Sequence, residues 1–93
     1  MDLLIDDIRN LFVDAIARNY TAAIELLKNQ TWDTVYIDHD LGIDYNTGQI
    51  SKTGYDVMCW LEVNSEHLPK NIRFVTDNPV GRTRMEQVRN RLY

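Results

Sequence analysis

Two short apolar runs in this sequence stop abruptly against carboxylates. Leu3-Leu4-Ile5 ends at Asp6-Asp7, and Val35-Tyr36-Ile37 ends at Asp38-His39-Asp40-Leu41-Gly42. Runs this short read as strands, and the nearly continuous apolar character of the second fits a central strand covered on both faces. Two carboxylates about 4 Å apart repel by roughly 4 kcal/mol at an effective dielectric near 20. Clustered acid at a strand end therefore persists only with a cation, a shared proton or good hydrogen bonding. The fold has to bring that compensation to both strand ends.

The remaining segments alternate in type. Phe12 to Ala17 reads as a second strand, and the few residues centred on Asp7 to Asn10 are too short for a parallel crossover, which takes about a dozen. An antiparallel edge strand is the expectation. Tyr20 to Asn29 places Tyr20, Ala23, Ile24 and Leu27 at helical spacing, with Asn19 or Thr21 to cap its start and Asn29 to end it. Residues 41–52, with Gly42, Asn46-Thr47-Gly48 and Ser51, read as a mobile loop of the kind that serves as a lid beside a charged strand end. Thr53-Gly54-Tyr55-Asp56 has the pattern of a capping box, which makes Asp56 a cap rather than a catalyst, and its helix buries Val57, Met58 and Leu61. Leu68-Pro69 stops that helix, and Ile72 to Thr76 reads as a further strand with one less protected face. Asn78-Pro79 starts a last helix that buries Met85, Val88 and Leu92. The order of strand, strand, helix, strand, helix, strand, helix predicts one three-layer α/β domain over residues 1–93.

Charge and composition exclude several classes. The net charge of −4 is uneven: residues 79–93 carry four arginines and one glutamate, leaving −7 on residues 1–78. That is no surface for coating duplex DNA. No apolar run approaches the ~20 residues of a membrane span, and the acidic start Met1-Asp2 is unlike a signal peptide. Cys59 is the single cysteine, so no internal disulfide forms, and the expectation is a cytoplasmic protein away from membranes.

In open α/β sheets ligands bind outside the carboxyl ends of the strands, which predicts that Asp6, Asp7, Asp38 to Asp40 and Thr76 to Asn78 share one rim. Asp6, Asp7 and Asp38 are hard oxygen ligands suited to Mg²⁺, Mn²⁺ or Ca²⁺, with Asp40 as a further ligand or one acting through water. His39 is a candidate general acid or base. Thr76 offers a hydroxyl, and the start of the last helix, with Asn78 and flexible Gly81, offers an anion-binding terminus. Arg9, Arg82 or Arg84 can supply guanidinium donors to phosphate. Metal plus phosphate is the chemistry these residue types share.

Five stretches, in order along the chain, resemble the cyclic-phosphate-processing receiver-like family: Asp6-Asp7-Ile8-Arg9, Ala17-Arg18-Asn19-Tyr20, Asp38-His39-Asp40-Leu41-Gly42, Thr53-Gly54-Tyr55-Asp56-Val57 through Trp60-Leu61-Glu62, and Asn78-Pro79-Val80-Gly81-Arg82. The resemblance implies a reduced receiver-like sheet with an acidic pocket; with the short connection after the first strand, the expectation is about four strands in the order 2-1-3-4, strand 2 antiparallel, flanked by three helices. It implies Mg²⁺ at the acidic pair, a central role for Asp38, and Thr76 closing the last strand. The ligand or substrate implied is a cyclic nucleotide or a cyclic-phosphate-ended RNA, processed by phosphodiester hydrolysis. Two departures stand out. The lysine that receivers carry after their last strand has no counterpart, and the His-Ser pair of the family pattern before Asn-Pro is Val75-Thr76 here. A binder that sequesters a cyclic nucleotide signal, as phage-encoded proteins could do, is the alternative these departures imply, with a receiver-like protein-interaction module as the second.

Overall fold

The computed structural model describes residues 1–44, 49, 50 and 52–93, with 43, 44, 49 and 50 described by their backbone alone. In chain order the elements are β1 (Asp2–Ile5), β2 (Ala15–Ala17), α1 (Tyr20–Asn29), β3 (Thr34–Ile37), β4 (Ile43–Asp44), β5 (Gln49–Ile50), α2 (Gly54–Val63), a 3₁₀ turn at Ser65–His67, β6 (Asn71–Phe74) and α3 (Pro79–Leu92). The main sheet has the order β2-β1-β3-β6. It is the predicted order, but every neighbouring pair in this sheet is parallel.

The antiparallel expectation for the second strand is thus corrected. Leu11, Phe12 and Val13 are not strand but the return path, and Phe12 is fully exposed. The chain leaves β1 at Asp6 and comes back to the foot of the same strand, where the Asp14 amide donates to the Asp2 carbonyl (3.0 Å) and the Asp2 amide to Asp14 Oδ2 (2.7 Å). Extended chain covers about 3.3 Å per residue against about 1.5 Å for helix, so residues 6–14 make the crossover without one.

A second correction concerns the layers. In the observed register Leu3 lies beside Val35, Ile5 beside Ile37, and Val35 beside Ile72. Side chains alternate along a strand, so these five share one face. There they form a single core with Ala23, Ile24 and Leu27 of α1, Val57, Met58 and Leu61 of α2, and Met85 and Val88 of α3. All three helices lie on one face, giving two layers rather than three. The cause is topological: the β2-to-β3 and β3-to-β6 connections step across the sheet in the same direction, and right-handed crossovers then put both helices on the same side. The step in the opposite direction, β1 to β2, carries no helix. β3 is central as expected, yet Tyr36 on its other face is only half-buried.

The start of each helix follows the sequence signals. Asn19 Oδ1 accepts from the Ala22 amide (2.8 Å). Thr53 and Asp56 form the reciprocal capping box, with the Thr53 amide donating to Asp56 Oδ2 (2.7 Å). Asn78 caps α3 through Gly81, with Pro79 as its first residue. At the open edge of the sheet, Arg89 Nη1 donates to the Ile72 carbonyl (3.0 Å) and Arg82 Nη2 to that of Phe74 (3.4 Å), covering carbonyls that β6 would otherwise present to water or to another strand. Within the stretch read as a loop, Ile43–Asp44 pairs antiparallel with Gln49–Ile50. Asn46-Thr47-Gly48 and Ser51 lie outside the described residues, and with them the expected lid. Among the described residues no helix is long and apolar enough to cross a membrane.

Candidate functional site

The Asp38 amide donates to the Ile5 carbonyl (2.9 Å), so the chain leaves β1 and β3 side by side and delivers their carboxylates to one place. One oxygen each of Asp6, Asp7 and Asp38 lies within 4.8 Å of the others. Asp6 is buried, and its Oδ1 accepts from the amides of Ile8 (2.9 Å) and Arg9 (2.8 Å). Its Oδ2 faces Arg9 Nη1 at 3.3 Å. Gly42, with φ +68°, lies against Asp7, where a Cβ would be 3.0 Å from Asp7 Oδ2. Burial raises the carboxyl of Asp38 above its ordinary range; a hydrogen bond from Thr76 opposes the rise, and the charge of Asp6 adds to it. Thr76 is itself buried, which places the last strand end in the same cluster.

His39, next in sequence to Asp38, has different partners. Its Nδ1 is 3.1 Å from Asp40 Oδ1 and 3.4 Å from Asn78 Nδ2. Asn78 Oδ1 is committed to the Gly81 amide (2.9 Å), so the Asn78 side chain turns its NH₂ toward the ring. One nitrogen of a neutral ring cannot both donate to a carboxylate and accept from an amide. The shorter contact assigns the proton to Nδ1, and Nε2, without a hydrogen-bond partner among the described residues, is the nitrogen left for a ligand. The ring packs against the first turn of α3: a Cβ on Gly81 would lie 2.4 Å from His39 Cγ.

The predicted site residues therefore divide. Asp6, Asp7, Asp38 and Thr76 come together, and Arg9 reaches Asp6. His39, Asn78 and Gly81 form a neighbouring group. Asp40 stands outside the carboxylate cluster, exposed and turned toward His39. Arg82 spends Nη2 on the carbonyls of Thr76 (3.0 Å) and Phe74, where it fixes the segment that carries Thr76. Arg84 lies over the Tyr55 ring, 4.2 Å from its centroid. Of the first amides of α3, Pro79 has none and that of Gly81 is taken by Asn78, so Val80 presents the first amide available to an anion.

Two contributors were not assigned roles from sequence. Arg18 donates to the carbonyls of Asp6 (3.3 Å) and Arg9 (2.8 Å) and to Asn10 Oδ1 (2.6 Å), and so pins the turn that carries the acidic pair. Its position directly after β2 was the available signal. Gly54 lets α2 start against the end of β3: its amide donates to the His39 carbonyl (2.8 Å), and a Cβ there would be 2.1 Å from the Asp38 carbonyl oxygen.

Three hard carboxylate oxygens at this spacing, one of them on a buried residue, make a donor set that fits a divalent cation such as Mg²⁺, Mn²⁺ or Ca²⁺. Comparison with curated proteins gives no match, and comparison with solved structures gives none. The family model described as the Cyclic-phosphate processing Receiver domain matches residues 1–91, nearly the whole chain, and the chain belongs to that family.

Proposed function

We propose that this domain hydrolyses a cyclic phosphodiester on a nucleotide or an RNA end with the help of a divalent metal. The observation that carries this reading is the convergence of Asp6, Asp7 and Asp38 with the Thr76 hydroxyl at adjacent strand ends. A divalent cation held by the three carboxylates would supply polarisation of a phosphoryl oxygen and lower the pKa of water. The protein's own groups do the rest. Thr76 holds the Asp38 carboxylate, and Arg82 holds the Thr76 backbone. Asn78 and Asp40 orient His39, whose bare Nε2 takes a proton from the water that adds to phosphorus and passes it to the ester oxygen that leaves as its P–O bond breaks. Val80 N–H and the α3 dipole face the anion. Asp38→Ala is expected to retain the fold and to lose both metal binding, measured by calorimetry with Mn²⁺, and turnover of cyclic mono- and oligonucleotides. Unchanged turnover would overturn the assignment.

One observation favours a second reading, a non-catalytic binder of the same ligands. Val75 stands where the family resemblance has a histidine, leaving His39 as the one imidazole beside this rim. Incubation with a panel of cyclic nucleotides, followed by denaturation and chromatography, separates the two: intact ligand recovered with the protein means binding, and linear product means hydrolysis.

A further inference from the structure

We infer that Arg9 is a resident counter-cation of the carboxylate cluster: it competes with a divalent ion for Asp6 and, once displaced, is the guanidinium that takes an anionic oxygen of the ligand. The inference rests on the metal reading above and adds a coupling to it. Asp6 is buried, and both lone pairs of its Oδ1 are occupied by the amides of Ile8 and Arg9. Oδ2 is then the oxygen of Asp6 with capacity for a cation, and Arg9 Nη1 lies 3.3 Å from it. The ion and the guanidinium therefore want the same atom.

Arg9 is also free to leave. Its amide, not its side chain, completes the turn at Oδ1, so moving the guanidinium leaves the turn intact. The side chain is about one-third exposed, and its second contact is 3.7 Å to Asp77 Oδ2, a carboxylate fully in solvent that holds it weakly. A divalent cation at Oδ2 takes the atom that Arg9 faces and removes most of the negative charge that draws the guanidinium inward. The guanidinium then sits at the edge of a cluster whose charge has fallen from three negative to one, with its planar fork of donors available, the geometry that suits phosphate. By linkage, metal and phosphate should each raise the affinity for the other, and Arg9 carries a share of that coupling.

The test compares Mn²⁺ affinity by calorimetry in the wild type, Arg9→Ala, Arg9→Lys and Arg84→Gln, and repeats each with inorganic phosphate. Arg84→Gln removes one positive charge from a residue stacked on Tyr55 and so reports the general field alone. Arg9→Ala is expected to bind Mn²⁺ about fivefold more tightly than the wild type, the scale of a partly exposed ion pair, with Arg9→Lys between them and Arg84→Gln within about twofold of the wild type. In the wild type phosphate tightens Mn²⁺, and in Arg9→Ala that enhancement falls. Arg9→Ala affinity no higher than that of Arg84→Gln, or an undiminished phosphate effect, overturns the inference while leaving the metal reading intact. Absence of Mn²⁺ binding by the wild type, at the level of Asp38→Ala, overturns both.

Discussion

Replacing Gly54 with alanine sets two physical terms against each other. Gly54 is the first residue of α2, and its φ is not in the left-handed region, so glycine is not needed there for backbone freedom. Helix propensity alone would make alanine the better residue by about 1 kcal/mol. Sterics oppose it. A Cβ would stand 2.1 Å from the Asp38 carbonyl oxygen and 2.9 Å from Ile37 Cγ2, so α2 must retreat from the end of β3 by about 0.9 Å to reach the 3.0 Å that real contacts respect. The atom in the way is backbone directly after a central strand and cannot swing aside as a side chain would. Overpacking of this kind costs about 1–3 kcal/mol, and retreat weakens the Gly54–His39 hydrogen bond, about 1 kcal/mol more. The net expectation is a loss of about 1–3 kcal/mol. At about 4–8 °C per kcal/mol for a small domain, the midpoint should fall by roughly 10 °C. Urea and thermal unfolding of the two proteins read this directly. An equal or higher midpoint would refute the argument, because it would mean that α2 and β3 are not in the tight contact described. Since the displaced atom belongs to Asp38, Mn²⁺ affinity should fall in the same variant.

Gly81→Ala should behave differently, because its Cβ meets the His39 side chain rather than fixed backbone; the unfolding midpoint should stay within a few degrees while turnover or ligand binding falls, and the His39 ring resonances should shift in the NMR spectrum. Asp38→Asn should raise stability at pH 7. The carboxyl is raised in the folded state by burial, so its stabilising contribution is present below its unfolded pKa and is lost as pH rises through the folded value. The advantage of the asparagine variant in urea unfolding should accordingly shrink as pH falls through the same window, and an advantage that grows in acid would contradict the assignment. Arg18→Ala removes three hydrogen bonds from the turn after β1 and should cost about 1–2 kcal/mol. Faster amide exchange at Ile8 and Arg9, with the core amides of β3 unchanged, would show that the loss is local.

What the sequence revealed and what it hid follow from the range of the interactions. Capping residues act within one turn of helix, so Thr53 with Asp56 and Asn78 with Pro79 could be read directly, as could the buried faces of α2 and α3. The gathering of Asp6, Asp7, Asp38 and Thr76 was legible because strand ends in a parallel sheet share a rim whatever the details. The direction of β2 was not, because Leu11-Phe12-Val13 is as apolar as a strand while serving as an extended return, and only the pairing of Asp14 with Asp2 reveals it. The one-sided helix layer was hidden for the same reason, since it depends on which crossover lacks a helix. Its residue type makes Asp40 a candidate ligand, but its orientation toward His39 is set by the turn after β3.

The rim draws its groups from three strands that are far apart in sequence, and this has a consequence for how the protein persists in a cell. Asp6 and Asp38 meet only when β1 pairs with β3, and Thr76 joins them only when β6 is in place. No fragment or partly opened form carries the site, so a ligand held there is linked to unfolding of the whole sheet rather than to fraying of one loop. At a hundred times its dissociation constant such a ligand adds about 2.7 kcal/mol, a large share of the roughly 5–15 kcal/mol typical of a folded domain. Proteolytic turnover of this chain should therefore slow in the presence of any ligand that the rim takes, so that its lifetime under protease reports occupancy of the site.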